Sequence, residues 1–405
     1  MAVYLKQFST QHEYEQYITS ESKVLPNVSI CEDTPNEVHY NPVPPHDYSQ
    51  DYFTMVVTSG GDITWSGSTA SNTLSYSKDN GDNWSAVTSA DTISVSEGDK
   101  VLWKGTPTPK SRKGIGKFFS GATNARYSVE GNVMSLLCGD DFKGQTSLSG
   151  KNYAFYGLFS GCTTVTSAEN LSLPATTLAN DCYYFMFKGC TSLTTAPVLP
   201  ATTLANDCYY FMFKGCTSLT TAPVLPATTL ANYCYNGMFQ GCTSLTTAPS
   251  VLPATTLMTS CYQCMFYDCT SLTTAPELPA TTLANYCYNG MFQDCTNLTT
   301  APELPATTLA NYCYNGMFQG CTNLTTAPEL PATTLANYCY NGMFQGCTNL
   351  TTIKCLATDI SASSCTSGWV NGVAASGTFT KAASMTSWTE GANGIPSGWT
   401  VQDAA

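Results

Sequence analysis

The residues best equipped for chemistry in this 405-residue chain are its 20 cysteines. Their spacing points away from reactivity. Fourteen fall at two fixed phases of a repeat: Cys182, Cys208, Cys234, Cys261, Cys287, Cys313 and Cys339, then Cys190, Cys216, Cys242, Cys269, Cys295, Cys321 and Cys347. A buried cysteine behaves as a small hydrophobe, so recurrent phases read as stacked free thiols. Neighbouring copies could bring same-phase Cα atoms within disulfide range, but parallel, inward side chains oppose bridging. Cys261 and Cys264 form one Cys-x-x-Cys. Without a second pair or a histidine beside it, a zinc or redox role is not expected. The histidines are His12, His39 and His46, all outside the repeats. With no glycine-rich phosphate loop, ligand cluster or triad pattern, neither an enzyme nor a cofactor or metal is expected.

Two smaller features carry polar chemistry. Lys110, Arg112, Lys113 and Lys117 form the basic cluster, in a Pro- and Gly-rich loop. It reads as a solvated loop or as a contact for an acidic partner or phosphate. The run Ser77-Lys78-Asp79-Asn80-Gly81-Asp82-Asn83-Trp84 resembles the Asp-box hairpin of sialidases, with Asn83 where Thr is usual. A sialidase would carry several boxes and an arginine cluster, whereas this chain has two arginines, Arg112 and Arg126. A hairpin stabilised by Asp79 and Gly81 is the expectation.

The repeat must position everything after about residue 150. Leu-Pro-Ala-Thr-Thr-Leu begins at Leu173, Leu199, Leu225, Leu252, Leu278, Leu304 and Leu330, a step of 26 residues with one of 27 at Ser250. Such a period marks a solenoid. Leu230, Cys234, Met238 and Cys242 recur every fourth residue, which predicts one face of a short helical segment with Phe239 beside it. Gly237 and Gly241 loosen it to one or two irregular turns. Leu245 to Ala248 is then a short strand that Pro249 and Pro253 limit. Stacked in parallel, such strands expose a threonine ladder, Thr220, Thr246, Thr273, Thr299 and Thr325, with Glu277, Glu303 and Glu329 in one column. These are candidate binding residues. Tyr184, Phe185 and Lys188 recur as Tyr210, Phe211 and Lys214, where later copies carry Asn, Gly and Gln. Tyr184 and Tyr210 are therefore candidate aromatic platforms for a glycan, expected at exposed positions.

Met238-Phe239, Cys242, Leu245, Ala248 and Leu252-Pro253 match in order the pattern of BspA-like leucine-rich repeats. The repeat resembles that family over about 150–355, departing from it in Met for Ala, Ala for Ile and a longer unit. The resemblance implies a curved solenoid with a binding role and no particular ligand.

The remainder divides into three. Phe53 to Val57, Ile63 to Trp65, Leu74 to Tyr76, Thr92 to Val95 and Val101 to Trp103 are short strands between turn residues, predicting an antiparallel β-sandwich over 51–137. The solenoid proper runs over 138–355. Over 356–405 a degenerate copy leads into a cap whose Trp388 and Trp399 cover the last open coil. Residues 1–50 form a small α+β leader with a helix over about Gln11 to Thr19 and a proline linker at Pro42, Pro44 and Pro45. Tyr14, Tyr17, Ile18, Val38 and Tyr40 are its candidate anchor residues. The stretches Tyr4-Leu5-Lys6-Gln7-Phe8, Leu25 to Ser29 and Val38 to Pro42 resemble a leader on virion proteins of gut Bacteroidales phages, crAss-like phages among them. The segments Ala382 to Trp388 and Gly394 to Thr400 resemble the closing segment of repeat proteins from the same phages and their hosts. That resemblance implies attachment to other virion proteins through the N-terminus.

The expected organisation is thus a multidomain protein of anchor, sandwich, leucine-rich-repeat solenoid and cap. A net charge of −12 disfavours nucleic acid and anionic membranes as partners. No stretch reaches the ~20 apolar residues of a membrane span, and no secretory signal is apparent at Met1 to Phe8. The expected function is a non-enzymatic phage fibre or decoration protein on the virion surface, a homo-oligomer with a trimer favoured. Its solenoid would meet a host-surface glycan or protein. A bacterial BspA-like surface adhesin is the alternative.

Overall fold

The computed structural model describes residues 46–66, 74–87, 91–109, 111–120 and 125–404. The chain divides into two compact units, Met1–Asp47 and Tyr48–Ala405. The expected leader helix and the anchor candidates Tyr14, Tyr17, Ile18, Val38 and Tyr40 lie outside the described residues, as do His12, His39 and Lys110.

The sandwich forms as two antiparallel layers. One carries β4 (Ser85–Val87), β3 (Leu74–Ser77), β6 (Lys100–Gly105), β1 (Phe53–Ser59) and β8 (Arg126–Asn132) in that order. The other is β5 (Thr92–Val95), β2 (Gly61–Ser66) and β7 (Lys117–Ser120). The five strands read from sequence are all present, while β4, β7 and β8 went unread. Alternation places Phe53, Met55 and Val57 inside on β1 and Val101 and Trp103 inside on β6. Trp65 and Trp103 pack on Phe118 at 4.8 and 4.9 Å between ring centroids.

β8 joins this layer to the solenoid. It pairs antiparallel with β1 and, on its other edge, parallel with β9 (Asn170–Ser172) of the first, degenerate coil. The sheet edge therefore covers the open start of the coil stack, and one apolar core runs from Phe53 to Trp399.

Each coil buries the Leu, Met, Phe and Cys columns expected from the repeat; Phe239, Met238, Cys234 and Cys242 are 0% exposed. A further column adjoins the first cysteines: Tyr183, Tyr209, Tyr235, Tyr262, Tyr288, Tyr314 and Tyr340 are at most 1% exposed. Successive rings lie nearly parallel, 5.6 Å apart from Tyr209 to Tyr235.

The four-residue period is not helical. Tyr233, Gly237 and Gly241 have φ of +57°, +56° and +72°, so every fourth residue breaks a right-handed helix. The segment is instead a chain of tight turns. Met238 donates to the Tyr235 carbonyl three residues back, while Tyr235, Gly237 and Phe239 donate to Cys261, Gln263 and Met265 of the next coil. Alternate amides thus close turns and tie coils together, and the inward pairs Cys–Tyr and Met–Phe repeat every four residues.

The strand after each turn segment is also shorter than expected. In most coils it is reduced to isolated parallel bridges such as Thr221 to Thr247 and Thr274 to Thr300. The flanking prolines remove ladder donors. Continuous strands appear at the end of the array, where β10 (Thr326–Leu330), which keeps Pro328, pairs with the proline-free β11 (Thr352–Cys355), followed by β12 (Thr378–Lys381) and β13 (Thr400–Asp403), all parallel. Both closing tryptophans pack on the end of the stack. Trp388 stacks on buried Trp369 at 5.6 Å, and Trp399 donates its indole N–H to the Ala374 carbonyl at 2.8 Å.

Candidate binding surface

The cysteine columns are structural. All 19 described cysteines are free thiols. In the second column each S–H points to a phenylalanine carbonyl of the preceding coil, as from Cys242 to Phe213 and from Cys295 to Phe266, at 3.1 and 3.0 Å. Burial pushes the Cys234 and Cys242 thiols up to about 12, far from the thiolate that nucleophilic or metal chemistry requires. Cys264 is half-buried beside the first column and is raised to about 11 by burial. Among the described residues no cluster of three or more His, Cys, Asp or Glu could hold a metal ion.

The Asp-box run is the hairpin between β3 and β4. The Asp79 carboxylate accepts from the Asn83 backbone and side-chain amides at 2.9 and 2.7 Å, and Ser77 accepts from the Gly81 amide at 2.9 Å. The Ser77 hydroxyl, which donates to the carboxylate, and then the two Asn83 amides hold the Asp79 carboxyl down at about 2. Trp84 leaves the hairpin to meet Tyr52, with Lys104 over its ring at 4.2 Å. The motif is a closed turn.

Two long faces of the solenoid remain. On the strand side Thr220, Thr246, Thr273, Thr299 and Thr325 are exposed in one line. Their hydroxyls bind backbone along the stack, as from Thr246 to the Thr220 carbonyl at 3.2 Å. Glu277, Glu303 and Glu329 are exposed beside them, and Glu329 meets Lys354 at 2.9 Å. The first copies carry Val198 and Val224 in this column, 73% and 77% exposed. The strand face therefore runs from apolar to acidic along its length.

On the turn side Tyr184 and Tyr210 are half-buried rather than fully exposed. Coil spacing is the reason: it sets same-phase rings face to face, with Tyr184 4.5 Å from Tyr210 and 5.0 Å from Tyr156. Both faces of Tyr184 are thus occupied, and only ring edges face outward. Phe185 stacks on Phe211 at 5.8 Å, with Lys188 and Lys214 over their rings at 4.2 and 4.4 Å. From the third coil the tyrosine column becomes an amide ladder, in which Asn236, Gln263, Asn289 and Asn315 each donate to the next side chain at 2.8–3.1 Å. Alongside it Tyr286, Tyr312 and Tyr338 form a second stack, 4.5 Å between rings. Sequence reading missed that stack, although constant phase in three copies was a sufficient signal.

The first two coils differ from the rest in charge and in where a bulky residue takes left-handed φ as well. Asp181 and Asp207 occupy the phase of Tyr233, where burial raises both carboxyls and brings Asp207 to about 6. The Arg112 guanidinium opposes that rise in each. Phe185 and Phe211 sit at φ +59° and +51°, where Gly237, Gly290, Gly316 and Gly342 stand later. Left-handed φ in a bulky side chain costs about 1–3 kcal/mol. Glycine would remove that cost, so the aromatic residues are retained against strain. The basic cluster of Arg112, Lys113 and Lys117 lies against Tyr156 and Phe185, which joins two sequence features that had been read apart.

The family model described as BspA type leucine rich repeat region matches in six copies, over residues 151–273 and 251–366. No curated protein matches. Among solved structures, the 1.19 Å crystal structure of a leucine-rich repeat protein from Bacteroides ovatus ATCC 8483 is 15% identical, with a TM-score of 0.26, covering 62% of this chain and 77% of that one.

Proposed function

The chain belongs to the BspA-type leucine-rich repeat family, and from that premise we propose that it is a non-enzymatic binding protein whose turn-side face contacts a host-surface glycan or protein. The observation that carries this reading is the aromatic set of the first coils, Tyr184, Tyr210, Phe185 and Phe211, where strained phenylalanines replace the glycine of later copies. Tyrosines hold left-handed φ at another phase of the later coils, but at this phase only the first two coils carry an aromatic ring, the later ones having glycine or Cys264, so the rings are read as serving the surface. The raised thiols fit a scaffold without a nucleophile.

In this proposal the protein sits on a phage virion as a fibre or decoration, attached through residues 1–50 to other virion proteins and assembled as a homo-oligomer, a trimer in the favoured form. The resemblance of the leader and the closing segment to gut-phage proteins supports it. A bacterial surface adhesin is the second reading, supported by the family match. Localisation separates the two: the virion reading requires the chain in purified particles and its loss from them on deletion of residues 1–45. Chain on intact bacterial cells and absent from particles selects the adhesin. For the surface itself, Tyr184→Ala with Tyr210→Ala should weaken attachment to host cells without unfolding the solenoid. Unchanged attachment removes this face.

A further inference from the structure

A cavity of about 430 Å³ opens where the sandwich meets the first coils, lined by Arg112, Lys113, Lys117, Tyr156, Ser160 and Phe185 among others. That volume is in the range of small-ligand sites. Its cations are not carried on a loose loop. Gly114, at φ +57°, lies so close to the turn beneath that a Cβ there would come within 2.9 Å of the Tyr153 carbonyl oxygen. Gly116 is similarly pressed against Trp65, where a Cβ would lie 2.7 Å from the Ser66 carbonyl oxygen. Ile115 between them is fully buried, and Phe118 donates to the Leu158 carbonyl at 2.8 Å. Backbone contacts thus fix Arg112 and Lys113 over the coil. Neither has a carboxylate partner within 4.0 Å among the described residues.

The cavity also lies at the end of a ring stack. Tyr184 has a tyrosine on each side, whereas Tyr156 is the last ring of that column and lines the cavity. A flat apolar face placed there would continue the ladder. Phe185 adds a second apolar wall, held in its left-handed conformation under Lys188. Asp181 and Asp207 stand further along the same face, within the field of Arg112. They would repel an anion near them and can accept from hydroxyls, so the charge of a ligand belongs at the Arg112–Lys113 end.

We infer that this cavity is a subsite for an acidic saccharide, its carboxylate at Arg112 and Lys113 and its apolar sugar face against Tyr156 and Phe185. Guanidinium binds carboxylate in a planar fork, and aromatic rings offer area with little entropy loss. A bare inorganic anion would use the cations and leave the rings idle. The inference rests on the host-surface reading above and names the chemistry that the surface would recognise.

The test uses the full chain and ligand-observed NMR titration at low salt. Its probes are glucuronate, galacturonate and N-acetylneuraminate, with glucose and galactose as neutral counterparts and inorganic phosphate as the anion without a ring. At least one acidic sugar should bind ten times more tightly than its neutral counterpart and than phosphate. Arg112→Gln with Lys113→Gln should lose at least tenfold of that affinity with an unchanged melting temperature. Phe185→Gly, which installs the residue of later coils, should also weaken binding while folding normally. Phosphate binding as tight as the sugars, equal binding of neutral sugars, affinity that survives both variants, or no binding by any acidic probe would each overturn the subsite. Host-cell attachment that persists after such a failure leaves the wider attachment reading standing, while loss of attachment with sugar binding intact refutes that reading alone.

Discussion

Replacing Tyr288 by phenylalanine should stabilise the solenoid. The residue is 1% exposed, its ring stacked 5.8 Å from both Tyr262 and Tyr314. Its hydroxyl has no hydrogen-bond partner, a state shared by Tyr183, Tyr235, Tyr262 and Tyr340. Burying an unpaired hydroxyl costs about 1–3 kcal/mol. Phenylalanine keeps the stack and removes that cost, leaving a gap of one oxygen atom that returns a few tenths of it. The net gain should be about 1 kcal/mol, roughly fivefold in an opening equilibrium. Tyr288→Ala, by contrast, removes the ring and should cost about 3–5 kcal/mol. Repeat proteins open coil by coil, so the measurement is native-state hydrogen exchange at the amides of Tyr288 and Met291, which donate to Cys313 and Tyr288. Protection should rise about fivefold in the phenylalanine variant. A tenfold fall would refute the reasoning and show that the hydroxyl is satisfied by buried water.

Other consequences follow from the same geometry. Phe239→Ala empties the centre of the array and should destabilise by about 3–5 kcal/mol, read as a lowered denaturation midpoint; an unchanged midpoint would contradict its burial. Asp207 is raised to about 6, so its stabilising contribution is fully present below the ordinary value of 3.8 and is lost as pH rises through 6. Asp207→Asn should therefore gain about 1 kcal/mol at pH 7.5, a figure reduced because the group is half exposed, and the gain over the parent should shrink as pH falls below 6 and vanish only below 3.8 in paired thermal melts. Thiol titration in denaturant without reductant should recover nearly all 20 cysteines, while among the 19 described ones native protein at pH 8 should react chiefly at the half-buried Cys138 and Cys264; recovery of only a few in denaturant would point to an oxidised, secreted protein.

Much of the fold was legible in the repeat itself. Identity at a fixed phase means an identical environment in every coil, so Leu230, Met238, Phe239 and Cys242 declared their burial without any structure. The same logic marked the exposed threonine line and the odd first two copies, and alternation around Phe53 and Val101 disclosed the sandwich strands. Less was legible where one pattern fits two backbones. A four-residue apolar period suits both a helix and a chain of tight turns. Amides such as Tyr235 and Gly237 donate to the neighbouring coil, and that choice belongs to the stack rather than to any one copy. The helical face through Leu230, Cys234, Met238 and Cys242 had no place for Tyr235; the turn chain brings both Cys234 and Tyr235 inward. The exposure expected for Tyr184 and Tyr210 failed for a related reason, since the spacing between coils places each ring on its neighbour. The meeting of Arg112 and Lys113 with Tyr156 and Phe185 had no sequence signal, because the segment between β6 and β7 is held on the first coils by contacts distant in sequence, Gly114 against Tyr153 and Phe118 donating to Leu158. Columns are thus written in the sequence because a repeat carries its own neighbours. Contacts between the repeat and a non-repeating domain are decided in three dimensions, where no periodicity records them.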